Sequence, residues 1–261
     1  MMSRRYRRKI EEKTLEINIC ENLINLIRSC NSLFKKAYWR GLTLRLEHRI
    51  GLDVKIEPSM YKALMILGIQ FKKPKNKEYD FKRREYYYLF EINNNPANNQ
   101  HLILYFLSSL IHYKYPQKNC FIGYSFPLFI NHDELRRYSP MFLNRTIFID
   151  ARYFPETKLD RLTHKIYIYE NIYDVEIESK KRIKIEKEYI LTKEKLIEKF
   201  KGLEKENLVN IRNLQIIGPR DIEILLEELK GKVSTEIIKY LKEKIERGFK
   251  TEIKRTILAE V

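Results

Sequence analysis

The chain predicts a mixed α+β protein. Two hydrophobic periods alternate along it, one of helices and one of strands, and it carries enough apolar residues for a substantial core. Leu15, Ile19, Leu23, Leu26, Ile27, Cys30, Leu33, Phe34 and Ala37 recur at helical spacing. Runs such as 85–93 and 165–169 instead keep to the two-residue repeat of strands. Hydrophobic residues make up 44% of 261 residues, which excludes bulk disorder and allows one large domain or two small ones.

The first apolar stripe predicts a long amphipathic helix, and a second helical piece is expected over Trp39 to Arg49. Leu52-Asp53-Val54-Lys55-Ile56 reads as a short extended run closed by Pro58. Ser59 suits the cap of a short helix through Leu67, with Gly68 just past its end. A cluster of strands follows: Gly68-Ile69-Gln70-Phe71, Glu78-Tyr79-Asp80-Phe81 and 85–93. In the last of these, Tyr86, Tyr88, Phe90 and Ile92 face one way, and Glu85, Tyr87, Leu89, Glu91 and Asn93 the other. An asparagine-rich loop over 93–99 leads to a helix carrying Leu102, Ile103, Phe106, Leu107, Leu110 and Ile111, stopped by Pro116. Residues 120–126 form the next strand.

A boundary is expected near 130–145, where Pro127, Pro140 and polar residues interrupt the periodic segments. This divides the chain into a basic arm (1–14), an α/β core (15–135) and a smaller β-hairpin and helical domain (145–261), suited to dimerisation or nucleic-acid binding. In that C-terminal domain, 146–150, 165–169, 173–177 and 182–185 read as short antiparallel strands. Thr192 caps a helix through about Leu203, Pro219 opens another bearing Ile222, Leu225, Leu226 and Leu229, and Ser234 starts a third.

Charge narrows the function classes. Lysine and arginine total 51 against 35 acids, a surplus of 16. An excess of that size calls for polyanionic company, of which nucleic acid is the commonest. The other readings are a ribosomal-type scaffold or a thermophile's charged surface, and heavy use of Glu, Lys, Ile and Arg also points to a thermophile. Apolar runs fall far short of the roughly 20 residues of a membrane span, and no apolar signal core follows the basic start, so a cytoplasmic protein is expected. Cys20, Cys30 and Cys120 are too scattered for zinc or a disulfide framework, and Cys20 and Cys30 lie on the helical core stripe. His48, His101, His112, His132 and His164 show no metal-ligand spacing. With only 8 glycines, no phosphate-cradling fingerprint appears, and no Gly-x-Ser-x-Gly elbow is present.

One constellation joins a nucleic-acid partner to a reaction centre. Asp80 ends one strand, and Glu91 and Asn93 share a face of the next. Adjacent strands bring Asp80 within reach of Glu91, and two carboxylates that close repel unless a cation neutralises them. A hard divalent ion, Mg²⁺ by default or Mn²⁺, would do so and leave positions for phosphate and water. Lys72, Lys73, Lys75, Lys77, Lys82, Arg83 and Arg84 surround them as phosphate contacts.

This order of elements resembles the PD-(D/E)xK nuclease superfamily, over about residues 40–126. The matching text is Leu67-Gly68-Ile69-Gln70-Phe71, Tyr79-Asp80-Phe81, Leu89-Phe90-Glu91-Ile92-Asn93, and Gln100 on the following helix. The resemblance implies a restriction-endonuclease-like αβββαβ core and Mg²⁺-dependent hydrolysis of DNA phosphodiester bonds. It implies double-stranded DNA as substrate and a possible homodimer. Asp80 and Glu91 are then metal ligands, Glu47 resembles the added helix acid, and Gln100 a polar residue near the site. The chain departs from the family at Asn93, where a lysine is usual. Asparagine hydrogen-bonds a water but brings no charge, so either Lys82 or Arg83 substitutes or the domain binds without cutting. The alternative function is a non-catalytic DNA- or RNA-binding protein, or a structural component of a replication or ribonucleoprotein complex.

Other features carry two readings each. Asp160, Asp174 and Glu178-Ser179-Lys180 contain the missing lysine but fit a charged hairpin turn. Tyr86-Tyr87-Tyr88 fits strand packing or a stacking platform for unpaired bases. Arg4, Arg5, Arg7 and Arg8 form an arm that either tracks phosphates or is simply solvated. Arg136-Arg137 beside Tyr138 fits a phosphate contact or a surface helix end, and His132-Asp133-Glu134 an acid–base cluster or a helix N-terminus.

Overall fold

In the computed structural model, residues 9–35, 38–41, 54–57, 67–92, 100–114, 121–154, 163–178, 181–202, 223–224, 226–227 and 235–244 are described. The chain is mixed α+β, with two sheets. The stripe expected at the start forms α1, Glu12–Cys30, and buries Leu15, Ile19, Cys20, Leu23 and Ile27. Tyr38–Gly41 is strand β1 rather than the start of a helix. It pairs antiparallel with β2, Val54–Glu57, and Trp39 lies opposite Ile56. Aromatic residues suit a pleated surface, and a pairing partner overrides weak helical periodicity. β3, Leu67–Phe71, takes in Gly68, which therefore does not cap a helix. The remainder of the helices expected over 39–49 and 59–67 lies outside the described residues.

Two strands then leave this sheet. β4, Asn76–Asp80, and β5, Glu85–Ile92, form a hairpin. α2, Gln100–Lys114, follows, and β6, Phe121–Pro127, returns parallel to β3. The short helix α3, His132–Tyr138, is capped by Asn131, whose side chain accepts the Glu134 N–H. β7, Thr146–Asp150, pairs with β6, while β8 (His164–Tyr169), β9 (Val175–Glu178) and β10 (Arg182–Ile185) extend the hairpin. β11, Ile190–Leu191, joins β7, and the helices α4, Lys193–Lys201, and α5, Thr235–Lys244, follow. Only a few residues of the helix expected from Pro219 are described, and among them Leu226 is buried.

The first sheet runs β1-β2-β3-β6-β7-β11 and the second β10-β9-β8-β5-β4. One face of the first is covered by α1 and α4: Ile69, Phe71, Phe121 and Phe148 pack with Leu15, Ile19, Leu23, Leu196 and Phe200. The other face meets α2 and the inner face of the second sheet, where Tyr124, Phe126 and Ile149 pack with Phe106, Phe90, Ile166 and Ile177. Every residue of β6 and β7 is therefore buried. At Gly123 a Cβ would lie 2.2 Å from the Ile149 carbonyl oxygen, so β6 and β7 meet there with room for glycine alone.

The strands after residue 145 complete both sheets begun before it. The segments 15–135 and 145–261 are thus interleaved, and the expected boundary near 130–145 does not separate one core from another. No described helix is long and apolar enough to cross a membrane.

Candidate functional site: a hairpin end and a buried polar row

The β4–β5 hairpin turns at Phe81-Lys82-Arg83-Arg84, and Asp80 makes the turn. Its Oδ1 accepts the Lys82 N–H at 2.9 Å and the Arg83 N–H at 3.2 Å, and Arg84 closes the loop at φ 56°, in the left-handed region. The Arg83 N–H above all, with the Lys82 N–H and the Tyr169 hydroxyl, holds the Asp80 carboxyl below its ordinary range. Asp80 lies opposite Glu85 in the register, whereas Asn76 already lies opposite Leu89. Glu91 is six residues along β5 from Glu85, roughly 20 Å at the usual rise per residue. Its carboxylate pairs with Lys75 Nζ at 3.0 Å. The two acids share a face but stand at opposite ends of the hairpin, so they do not hold one ion. The pleat places them as expected; the register, which sequence spacing does not specify, separates them.

The other expected residues are dispersed. Glu47, Asn93, Arg4, Arg5, Arg7 and Arg8 lie outside the described residues. Gln100 is the first residue of α2. Lys73 Nζ is 3.6 Å from Glu11, and its N–H bonds Glu12. Lys72 Nζ stands 5.9 Å from the Tyr124 ring. Arg83 is engaged by Asp174 at 2.7 Å and by Glu176, so it does not offer a free charge to phosphate. Lys82 and Arg84 are exposed and make no ion pair among the described residues.

The outer face of the second sheet carries a pattern that motif spacing does not reveal. Tyr87, Tyr167 and Tyr169 form a row with ring centroids 5.4 and 5.9 Å apart. Arg182 lies over Tyr167 at 3.8 Å and Arg83 over Tyr169 at 4.2 Å. Arg182 and Lys184 on β10 meet Glu176, Glu178 and Asp174. Burial, then the Glu176 charge, pushes the Tyr169 hydroxyl up to about 12. This face therefore neutralises itself. The alternation of Lys165, Tyr167 and Tyr169 is a readable signal for it, but the partners come from strands whose order the sequence does not disclose.

At the turn end the aromatics emerge from cover. Phe81 is 85% exposed, Tyr86 45% and Tyr79 39%. Their rings meet edge-on, Tyr79 to Phe81 at 5.2 Å and Tyr79 to Tyr86 at 5.0 Å. Lys77 Nζ lies 5.0 Å from the Tyr86 ring. Tyr88, by contrast, is fully buried, so the three consecutive tyrosines split between outer face, turn end and core.

A second polar feature lies inside. Gln70 on β3 is in register with Tyr124 on the parallel strand β6. The Tyr124 hydroxyl is 3.1 Å from His101 Nδ1 in the first turn of α2, and the His101 ring is 6.3 Å from that of His164 on β8. Gln70, His101, Tyr124 and His164 are all buried. Burial above all, then His164 and Lys72, drives the His101 imidazole down to about 3, so it is neutral at ordinary pH. The row sits where the parallel pair meets the start of its crossover helix, the usual position of ligand sites in such units. It offers an amide, a phenol, imidazoles and a lysine. A hard divalent cation wants several carboxylate or carbonyl oxygens, and no group of three His, Cys, Asp or Glu comes together among the described residues. The described row by itself does not fit such an ion.

Together these features define a basic α+β protein with two packed sheets, one self-neutralised sheet face and one uncovered aromatic turn. No protein-family model, curated protein or solved structure matches the chain.

Proposed function

We propose that this protein binds nucleic acid. The observation that carries the reading is the uncompensated cation at the β4–β5 turn, Lys82 and Arg84, on a chain with net charge +16. The neighbouring sheet face engages its arginines with its own carboxylates, so among the described residues this turn is one place where attraction to a polyanion is left uncompensated. Binding driven by phosphate contacts weakens steeply with salt, by roughly one power of salt concentration per contact. The test is a titration of a labelled oligonucleotide at several salt concentrations. A slope near zero in log K against log salt removes the reading.

A second reading, cleavage, is favoured by one specific observation. Leaving aside the β4–β5 hairpin, which is inserted after β3, the elements α1, β1, β2, β3, α2 and β6 follow the order helix, three strands, helix, strand, and β3 ends in Gln70-Phe71 with Lys72 just past it. That offers a lysine two residues after a polar ligand atom, the spacing that the nuclease resemblance asks for and that Asn93 does not supply. In that resemblance the lysine orients the attacking water. Gln70 replaces an acid, so the carboxylates of a Mg²⁺ or Mn²⁺ site must come from elsewhere. The acids in sequence between β1 and β2 are Glu47 and Asp53, both outside the described residues. On this reading the reaction centre moves from the hairpin to β3. Plasmid incubated with Mg²⁺ or Mn²⁺ should be nicked, Lys72→Ala should lose roughly 100-fold or more of the activity, and Asp80→Ala should keep it. Intact plasmid with the wild type leaves binding alone; loss of nicking in Asp80→Ala would return the centre to the hairpin.

A further inference from the structure

The end of the β4–β5 hairpin has the chemistry of a base-stacking surface. We propose that Tyr79, Phe81 and Tyr86 receive unpaired bases of a single-stranded nucleic acid, with Lys82 and Arg84 on its phosphates. This rests on the nucleic-acid reading above and adds the class of strand.

Three observations carry it. First, the exposure is out of keeping with the rest of the sheet. Tyr88, Phe90 and Ile92, on the same face of β5 as Tyr86, are fully or almost fully buried, whereas Phe81 is 85% exposed. A phenyl ring held in water at a tight turn gains nothing for the fold, and Asp80 and Arg84 already secure the turn. Second, the rings are held in place. Tyr79 and Tyr86 are directly opposite in the register and meet edge-on, Tyr79 also meets Phe81 edge-on, and Lys77 sits against Tyr86. A pre-ordered aromatic surface loses little side-chain entropy on stacking. Third, the surroundings are cationic in a way that suits a phosphate chain. Lys82 and Arg84 make no ion pair among the described residues, and of the acids near this end Asp80 is occupied by the turn, Asp174 by Arg83 and Lys184, and Glu170 by Lys77, leaving Glu85.

A duplex hides its base faces, whereas a single strand presents them, and stacking on aromatics tolerates any sequence. The charge selects against an apolar protein partner, and the small size of the patch against a stable interface between copies.

The test compares full-length wild type with Phe81→Ala/Tyr86→Ala and with Lys82→Ser/Arg84→Gly, by fluorescence anisotropy. The probes are a labelled twenty-residue oligo-dT or oligo-rU and a mixed-sequence duplex of the same length. All four positions are solvent-exposed, and glycine suits the Arg84 backbone, so both variants should fold with wild-type circular dichroism. The expected result is tighter binding to the single strand. The aromatic double variant should lose roughly 5- to 150-fold per stacked base on the single strand, with duplex affinity unchanged. The charge variant should lower the salt slope by about 1.4 on the single strand. Wild type that binds neither probe overturns both this proposal and the function reading. Wild type that prefers the duplex, or single-strand affinity unchanged in the aromatic variant, overturns this proposal alone. So does binding to anionic phosphatidylserine vesicles or concentration-dependent self-association, lost in Phe81→Ala, without oligonucleotide binding.

Discussion

The two sheets use the same alternating backbone under opposite conditions. β6 and β7 are enclosed on both faces, and all their residues are buried. β5 and β8 are enclosed on one face only, and their other face carries tyrosines with arginines laid over them and carboxylates beside them. The first sheet therefore holds the fold together through packing, whereas the second spends half its side chains on a polar lattice that packing does not require. Where the packed core and the ion-pair lattice end, at the β4–β5 turn, aromatic and basic residues face solvent. That is where a partner has something to gain.

The contrast should appear in stability. Phe126→Ala removes a β6 ring that packs edge-on against Phe90 with centroids 5.1 Å apart, and should cost about 3–5 kcal/mol in denaturant unfolding. Gly123→Ala forces a methyl against the Ile149 carbonyl and should cost about 1–3 kcal/mol or more, though it adds only one carbon. A loss under about 0.5 kcal/mol in either would show that the first sheet is less tightly enclosed than described.

Acid should reach the inner face through His101. Its folded pKa is depressed to about 3 from an ordinary 6.5, so the unfolded chain binds the extra proton. The contribution of neutral His101 to stability is complete above pH 6.5 and declines as pH falls towards 3, by up to about 1.4 kcal/mol per pH unit. His101→Asn should flatten that limb in melts taken between about pH 4 and 7; an unchanged limb would place the acid sensitivity elsewhere.

The outer lattice should matter less. Arg83→Met removes pairs with Asp174 and Glu176 that are partly solvated and that Lys184 and Arg182 also serve, so the expected loss is under about 1 kcal/mol, smaller still in high salt. Phe81→Ala should leave stability within about 0.5 kcal/mol, while reducing single-strand binding. A destabilisation above about 2 kcal/mol would mean that the turn ring supports the fold.

Much of the fold is legible in the sequence. The stripe from Leu15 to Ile27, the alternation in 85–92, the helix around Leu102–Leu107 and the runs at 146–150 and 182–185 all appear where local periodicity puts them. β1 escapes such a reading because Trp39 and its neighbours have no strong local pattern and acquire strand geometry from β2. The site is much less legible. Asp80 and Glu91 fall on the same face, as the pleat requires, yet the six-residue offset between Glu85, opposite Asp80, and Glu91 follows from where the turn closes. Tyr86 and Tyr88 look equivalent in sequence, but one lies at the end of the sheet and the other beneath the core.

Composition and periodicity alone determined the strongly basic character, the α+β class, most of the elements and the face each strand residue takes, because these depend on local backbone geometry and on counts of charge. Strand order, the placing of β4 and β5 in a second sheet, the interleaving of the two halves, and which cations are neutralised depend on contacts between residues distant in sequence. Those contacts are fixed only when the whole core closes, and they decided that the hairpin's acids serve a turn and an ion pair while its aromatic end is left to solvent.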